Sequence, residues 1–300
     1  MSAVPSPQRM SLARRVVLFP LSLMIIGALC VVGAISASVV LMHELHQTGE
    51  EAWWPPFIMV PAMLFAYVGY VRLVERRPVD ELGLRGALPE FGVGYLLGAA
   101  LFTSVIATLG LLGVFDIVSR HPASVMIAPF LWMIMHAVFE ELLFRGVIFR
   151  LTERSLGSVA ALLISAALFG AAHIFNPGAN LFSALALAVE AGFLLGVTFM
   201  LTRRLWFCIG VHAAWNFVQG GVFSVPVSGT ESLGLLQGRL QGPSWLSGGA
   251  FGAEASLVAV AICLLVGVLL YRGVQKRGGV ILPYWRRAVS NETDGVLAPG

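Results

Sequence analysis

Eight long apolar runs dominate this chain, at about 16–42, 55–74, 91–115, 124–149, 157–175, 180–201, 205–224 and 250–271. Each is near the roughly 20 residues that an α-helix needs to cross a bilayer. Only 12% of the 300 residues are charged and 58% are hydrophobic, with a mean hydropathy of +0.86. A soluble domain carries about 25% charged residues. A core surrounded by water could not hide so much apolar material, so the solvent these runs suit is lipid. The expected fold class is an all-α integral membrane protein of about eight transmembrane helices.

Basic residues sort to alternate loops. With the N-terminus inside, the inner side receives Arg9, Arg14, Arg15, Arg72, Arg76, Arg77, Arg85, Arg150, Arg154, Arg203, Arg204, Arg272, Lys276, Arg277, Arg286 and Arg287. The outer side receives Arg120 and Arg239. That asymmetry is the positive-inside pattern, and shifting the span count by one would destroy it. It predicts both termini in the cytoplasm: a tail 1–15, a membrane domain 16–272 and a tail 273–300. The first apolar run is much longer than a signal-peptide core of 7–15 residues, despite small residues near Ala34 and Ala37, and is expected to be retained. The outer loop after it is acidic (Glu44, Glu50, Glu51) with Trp53 and Trp54 at the expected interface. The net charge of +3 resides in these flanking residues, so no basic stripe remains for a nucleic acid. Cys30, Cys208 and Cys263 are scattered through apolar runs, match no disulfide or zinc spacing, and read as packing residues. Gly94–Gly98 and Gly192–Gly196 read as GxxxG contacts between helices. The Gly-, Ser- and Pro-rich stretch 220–249 reads as a long outer loop.

Ionisable groups within a bilayer cost about 2.5–3.5 kcal/mol each at a helix centre, so their placement carries information. Glu140, Glu141, Arg145, Glu190, His136, His173 and His212 all fall inside spans four to seven, with Asn216 beside them. Glu141 and Arg145 are i,i+4 with the acid first, the favourable order for a pair. Glu140 is turned about 100° away and left for other work. Two neighbouring carboxylates in a low dielectric favour a raised pKa on one of them, which suits a general base. A buried ion pair that fixes packing accounts for the same residues. Glu140 and His173 stand equally far from the turn at Leu156–Gly157, so an antiparallel hairpin brings them to one depth, where they could hold a water. His212 and Asn216 share a helical face and can donate to an oxyanion or act as interhelical glue. Glu190 either pairs with Arg145 or lines a cavity, and His136 is four residues before Glu140. Linear counting places His173 near the outer end of its span and His212 in the inner half of its own, so tilted or bent helices are needed to unite them.

Three motifs stand in order on successive spans: Glu140-Glu141-Leu-Leu-Phe-Arg145, Phe169-Gly-Ala-Ala-His173 and His212-Ala-Ala-Trp-Asn216. Their pattern resembles the CPBP family of intramembrane peptidases, which includes the type II CAAX prenyl endopeptidases, over about residues 124–220. The resemblance implies peptide-bond hydrolysis without a covalent intermediate. Glu140 would activate the water with help from His173, His212 and Asn216 would stabilise the oxyanion, and Glu141 and Arg145 would order the site. No cofactor is favoured. Glu140, His173 and His212 do resemble the two-His, one-Glu set of zinc peptidases, so zinc is the metal such a set would take, although the HExxH spacing is absent. The expected partners are the lipid bilayer and a protein or peptide substrate, CAAX-like and lipidated by analogy only. The expected location is a cell membrane, of bacterial cytoplasmic type. Two other functions keep the same residues: a non-catalytic adaptor or immunity protein on this fold, and an ion-coupled transporter, for which the paired halves typical of transporters are missing.

Overall fold

The computed structural model describes residues 16–44 and 53–287. The tail 1–15 with its three arginines, Glu50 and Glu51, and the residues after 287 lie outside the described residues. Six helices among the described residues are long and apolar enough to cross a membrane: Pro20–Glu44, Pro56–Glu75, Ala87–Leu111, Ala123–Ala172, Leu181–Thr202 and Leu257–Lys276. The fourth runs for 50 residues, about 75 Å at 1.5 Å per residue, more than twice the roughly 30 Å of a hydrocarbon core. It is broken at Gly157, whose φ of 82° and ψ of 170° lie outside the helical region. Glycine enters that region without steric cost, and here a Cβ would also press on the Ile281 carbonyl at 2.8 Å. The break falls where the sequence places its turn.

We number the helices α1 (Pro20–Glu44), α2 (Pro56–Gly69), α3 (Ala87–Leu111), α4 (Ile127–Glu141), α5 (Arg150–Ala172), α6 (Leu181–Leu187), α7 (Leu194–Thr202), α8 (Leu205–Asn216) and α9 (Leu257–Lys276). Four wide π-helical stretches extend them: Tyr70–Glu75 after α2, Leu142–Phe149 between α4 and α5, Ala188–Phe193 between α6 and α7, and Phe217–Val222 after α8. Helix α8 is the innermost element, with every residue buried except Trp206. It packs on α3 through glycines. A Cβ at Gly94 would clash with the Phe207 carbonyl, one at Gly98 with the Val211 carbonyl, and one at Gly210 with the Phe91 carbonyl. The second GxxxG works likewise, with Gly192 against Ala166 and Gly196 against Leu162.

Basic residues gather at one end of the bundle and hold the loops there together. Arg77 and Arg150 both bond Glu75, Arg77 also bonds Glu81, and Tyr67 donates to Glu81 at 2.5 Å. Burial alone would raise the Glu81 carboxyl, but the hydrogen bonds from Arg77 and Tyr67 outweigh it and hold the group below the usual carboxylate range. Arg203 pairs with Glu153 and donates to Gly279, Arg204 pairs with Glu90, and Ser158 ties to Ile281 through both its backbone and its hydroxyl.

The opposite end corrects the expectation of a plain loop over 220–249. Helix α3 stops at Leu111, and β1 (Phe115–Arg120) pairs antiparallel with β2 (Leu236–Leu240), with Phe115 opposite Leu240. Residues 223–256 then form a strap folded back on the bundle. Two positive-φ glycines let it lie flat: Gly229 (φ 83°) against Pro177 and Gly252 (φ 121°) against Pro226. Helix α9 starts at Leu257, capped by the Ser256 hydroxyl, so residues 250–256 belong to the strap and not to the last span.

Gly98→Leu is expected to separate α3 from α8 and lower stability by at least about 3 kcal/mol, the upper range for overpacking, because backbone cannot yield as a side chain does. Thermal unfolding in detergent checks this against Gly92→Leu, where a Cβ meets nothing within 4 Å.

Candidate active site

Glu141 and Arg145 are completely buried on adjoining turns of one helix, and Arg145 Nη1 donates to Glu141 Oε1 at 2.8 Å. The second guanidinium nitrogen donates to the carbonyls of Ala191 (2.6 Å) and Gly192 (3.3 Å), both within the Ala188–Phe193 π turn. Glu141 Oε1 also meets His212 Nδ1 at 2.8 Å. One carboxylate thus ties α4 to α8, and its arginine ties the same segment to the α6–α7 helix. The i,i+4 pair expected from sequence is present, and Arg145 bonds carbonyls where a Glu190 carboxylate had been one option.

Glu140 points elsewhere. Its Oε1 is 3.8 Å from His173 Nε2 and its Oε2 is 3.7 Å from His212 Nε2. Both separations are longer than a direct hydrogen bond and short enough for one small molecule's oxygen to serve both. Oε2 is buried with no direct hydrogen-bond partner. The two histidines are held from behind. His173 Nδ1 sits 2.8 Å from the Phe169 carbonyl, and His212 Nδ1 faces Glu141. With carbonyl and carboxylate as acceptors, each Nδ1 carries the proton, and each Nε2 faces Glu140. Phe169 is the apolar floor beneath them. Its ring stacks on His173 (4.7 Å between centroids), meets Phe144 and His212 edge-on, and lies 5.1 Å from the Arg145 guanidinium carbon.

The depth mismatch expected between His173 and His212 is closed in the structure, where both rings face Glu140 and the contacts at the arginine-rich end show how far the helices are offset. Arg203 pairs with Glu153, so these two positions are level. Thirteen residues separate Glu153 from Glu140, nine separate Arg203 from His212, and the difference of four is about 6 Å of helix rise. The π stretch Leu142–Phe149 lies within the longer of the two stretches. Three of the four π stretches adjoin this cluster, in keeping with the frequent use of such turns at functional sites.

Glu140, His173, His212 and Asn216 line a small cavity of about 40 Å³, room for a few waters. A second hollow of about 950 Å³ meets it at Glu140, His173 and Asn216 and also reaches His136. All six sequence-expected residues therefore converge, four on the cavity and two behind it. Sequence reasoning missed Glu254. It is 2% exposed, lines the small cavity with Glu190, and its Oε1 accepts the Ser228 backbone N–H at 2.6 Å, joining the two ends of the strap beside the site. A glutamate within Ala250–Ser256, at the lip of the last apolar run, was the available signal. Glu190 lines the cavity, so the second of its two expected placements is the observed one. Cys208 and Cys263 are buried free thiols, and Cys263 borders the cavity.

Among the described residues, no three His, Cys, Asp or Glu side chains converge as the ligands of one metal ion would. The zinc set Glu140, His173 and His212 does not fit in this arrangement, and no step below passes through a metal.

A bundle of membrane-length helices enclosing carboxylates, imidazoles and a cavity defines a multi-pass membrane protein with a buried polar site. Residues 122–218, about a third of the chain, match the family model described as Type II CAAX prenyl endopeptidase Rce1-like. The match begins just before α4 and ends two residues beyond Asn216, so it takes in all six convergent residues. The similarity is to a family of membrane peptidases. No curated protein and no solved structure matches the chain.

Arg145→Met strands Glu141 as an unpaired buried charge and is expected to cost about 3–5 kcal/mol. Glu141→Gln in the same background should restore part of that loss, which a double-mutant cycle on thermal stability measures.

Proposed function

We propose that this protein is an intramembrane endopeptidase that cleaves a peptide bond with a water activated by Glu140 and forms no covalent intermediate. The observation that carries this reading is the Glu140 carboxylate between two Nε2 atoms, with one oxygen unpaired, on a cavity that shares Glu140, His173 and Asn216 with a peptide-sized hollow.

Glu140 takes a proton from water while the water oxygen attacks the substrate carbonyl carbon. His173, fixed by the Phe169 carbonyl, holds the water through Nε2. The Asn216 amide, and His212 when Nε2 as well as Nδ1 carries a proton, donate to the oxygen on which negative charge develops, and Glu141 on Nδ1 orients the His212 ring. Glu140 then passes its proton to the amine nitrogen as the carbon–nitrogen bond breaks, leaving a carboxylic acid and an amine, between which the remaining water proton redistributes to give carboxylate and ammonium. Arg145 holds Glu141 in place and has no contact with the reacting atoms.

The same reading gives eight spans, counting the broken 123–172 run as two and adding 205–222, with both ends of the chain in the cytoplasm of a bacterial-type cell membrane. The substrate is a protein or peptide at that membrane. An adaptor on this fold would have no need of Glu140 in particular.

Purified protein is to be offered a quenched peptide library that includes farnesylated members. Glu140→Gln and His173→Ala are expected to lower the cleavage rate by about 10²–10⁴-fold, the usual worth of a positioned acid–base group, with unfolding temperatures unchanged. A chelator should leave the wild-type rate as it was; loss reversed by zinc would restore the metal set. Cleavage by Glu140→Gln at the wild-type rate, or a cellular phenotype kept by that variant, would turn the assignment toward the adaptor.

A further inference from the structure

The two ends of the bundle differ in charge, and the large hollow belongs to only one of them. Its walls come from Trp53, the turn at Ser124 and Val125 with the first turns of α4 to Met133, Asn176 after α5, and the strap from Val227 to Leu233. All lie at the end where Arg120 and Arg239 are the basic residues. Arg77, Arg150, Arg203 and Arg204, with the contacts that join them, occupy the other end. In a membrane protein the arginine-rich end faces the cytoplasm.

Four ionisable groups line the hollow among the described residues: Glu140 at its base, Glu231 at its exposed rim, and His136 and His173 close to Glu140; no lysine or arginine, a permanent cation, lines it. Arg145 cannot supply the missing cation, because it is fully buried with its nitrogens turned to Glu141, Ala191 and Gly192. An enzyme that removes a C-terminal tripeptide must seat a free carboxylate three residues, about 10 Å, from the scissile bond. A carboxylate drawn that far from water needs a cationic partner. The hollow offers hydroxyls on Ser228, Thr230 and Ser232 and an apolar wall at Trp132 and Met133, which suit an uncharged peptide backbone.

Resting on the hydrolytic reading above, we infer that substrate enters from the extracytoplasmic face and that it is an internal stretch of peptide chain, not a chain's free C-terminus. The strap, tied to the end of α5 by the Asn176 amide on the Ser228 carbonyl, forms one wall of the entrance.

The face is read without reference to catalysis. Full-length protein carrying Leu233→Cys or Leu156→Cys, in intact bacterial cells, is exposed to a membrane-impermeant maleimide, with the wild-type chain as the control for its three native thiols. Labelling of Leu233→Cys in intact cells, and of Leu156→Cys only after permeabilisation, is the expected result; the reverse overturns the inference. The occupant is read with quenched peptides of one sequence, ended either as an amide or as a free acid three residues beyond the scissile bond. The amide should be cleaved at least tenfold faster, and equal rates or preference for the free acid would overturn that half. A wild type that cleaves no better than Glu140→Gln removes the hydrolytic reading instead, and leaves the labelling result standing.

Discussion

A fully buried carboxylate governs how this bundle is assembled. Glu141 cannot remain charged in a dry interior unless its neighbours supply hydrogen bonds, and Arg145 and His212 do so from two different helices. Arg145 has donors left over and spends them on the Ala191 and Gly192 carbonyls of a third. Three helical segments are therefore brought into one register by the need to satisfy one ion pair. Lipid-like surroundings offer no competing water, so each of these bonds restricts the fold more than it would in a soluble core.

Everything in the polar centre follows from that anchoring. Because Glu141 fixes Nδ1 of His212, the other ring nitrogen must face Glu140. Because α5 ends at Ala172 and the His173 ring bonds the Phe169 carbonyl one turn back, the second imidazole comes in from the opposite side. Phe169 fills the space beneath both rings and excludes water from the Arg145 side. The π turns at Leu142–Phe149, Ala188–Phe193 and Phe217–Val222 supply the wider pitch that lets residues at unequal linear depth meet. Glycines on α3 and α8 let the central helix approach closely enough for the cluster to close.

Much of this was legible in the chain itself. Long apolar runs demand spans, and i,i+4 spacing puts Glu141 beside Arg145 whatever surrounds them. Equal distances from the Gly157 turn put Glu140 opposite His173. The glycine pairs announced close helix contacts, because a residue without Cβ has few other reasons to recur every fourth position in an apolar helix. The strap was not legible. Its Gly, Ser and Pro content reads as loop, and its order depends on contacts with Pro177, Asn176 and Phe251, remote in sequence and invisible to local pattern. Glu254 escaped notice for the same reason, since its partner Ser228 is 26 residues away.

The sequence by itself determined the solvent, the spans and the identity of the polar residues, because hydrophobic length and helical periodicity are local properties. Which nitrogen of each histidine faces Glu140, which acid lines the cavity, and which end of the bundle carries the large hollow were decided only by tertiary structure. Those depend on how far one helix slides along another, and that offset is set by ion pairs and glycine contacts between segments far apart in the chain.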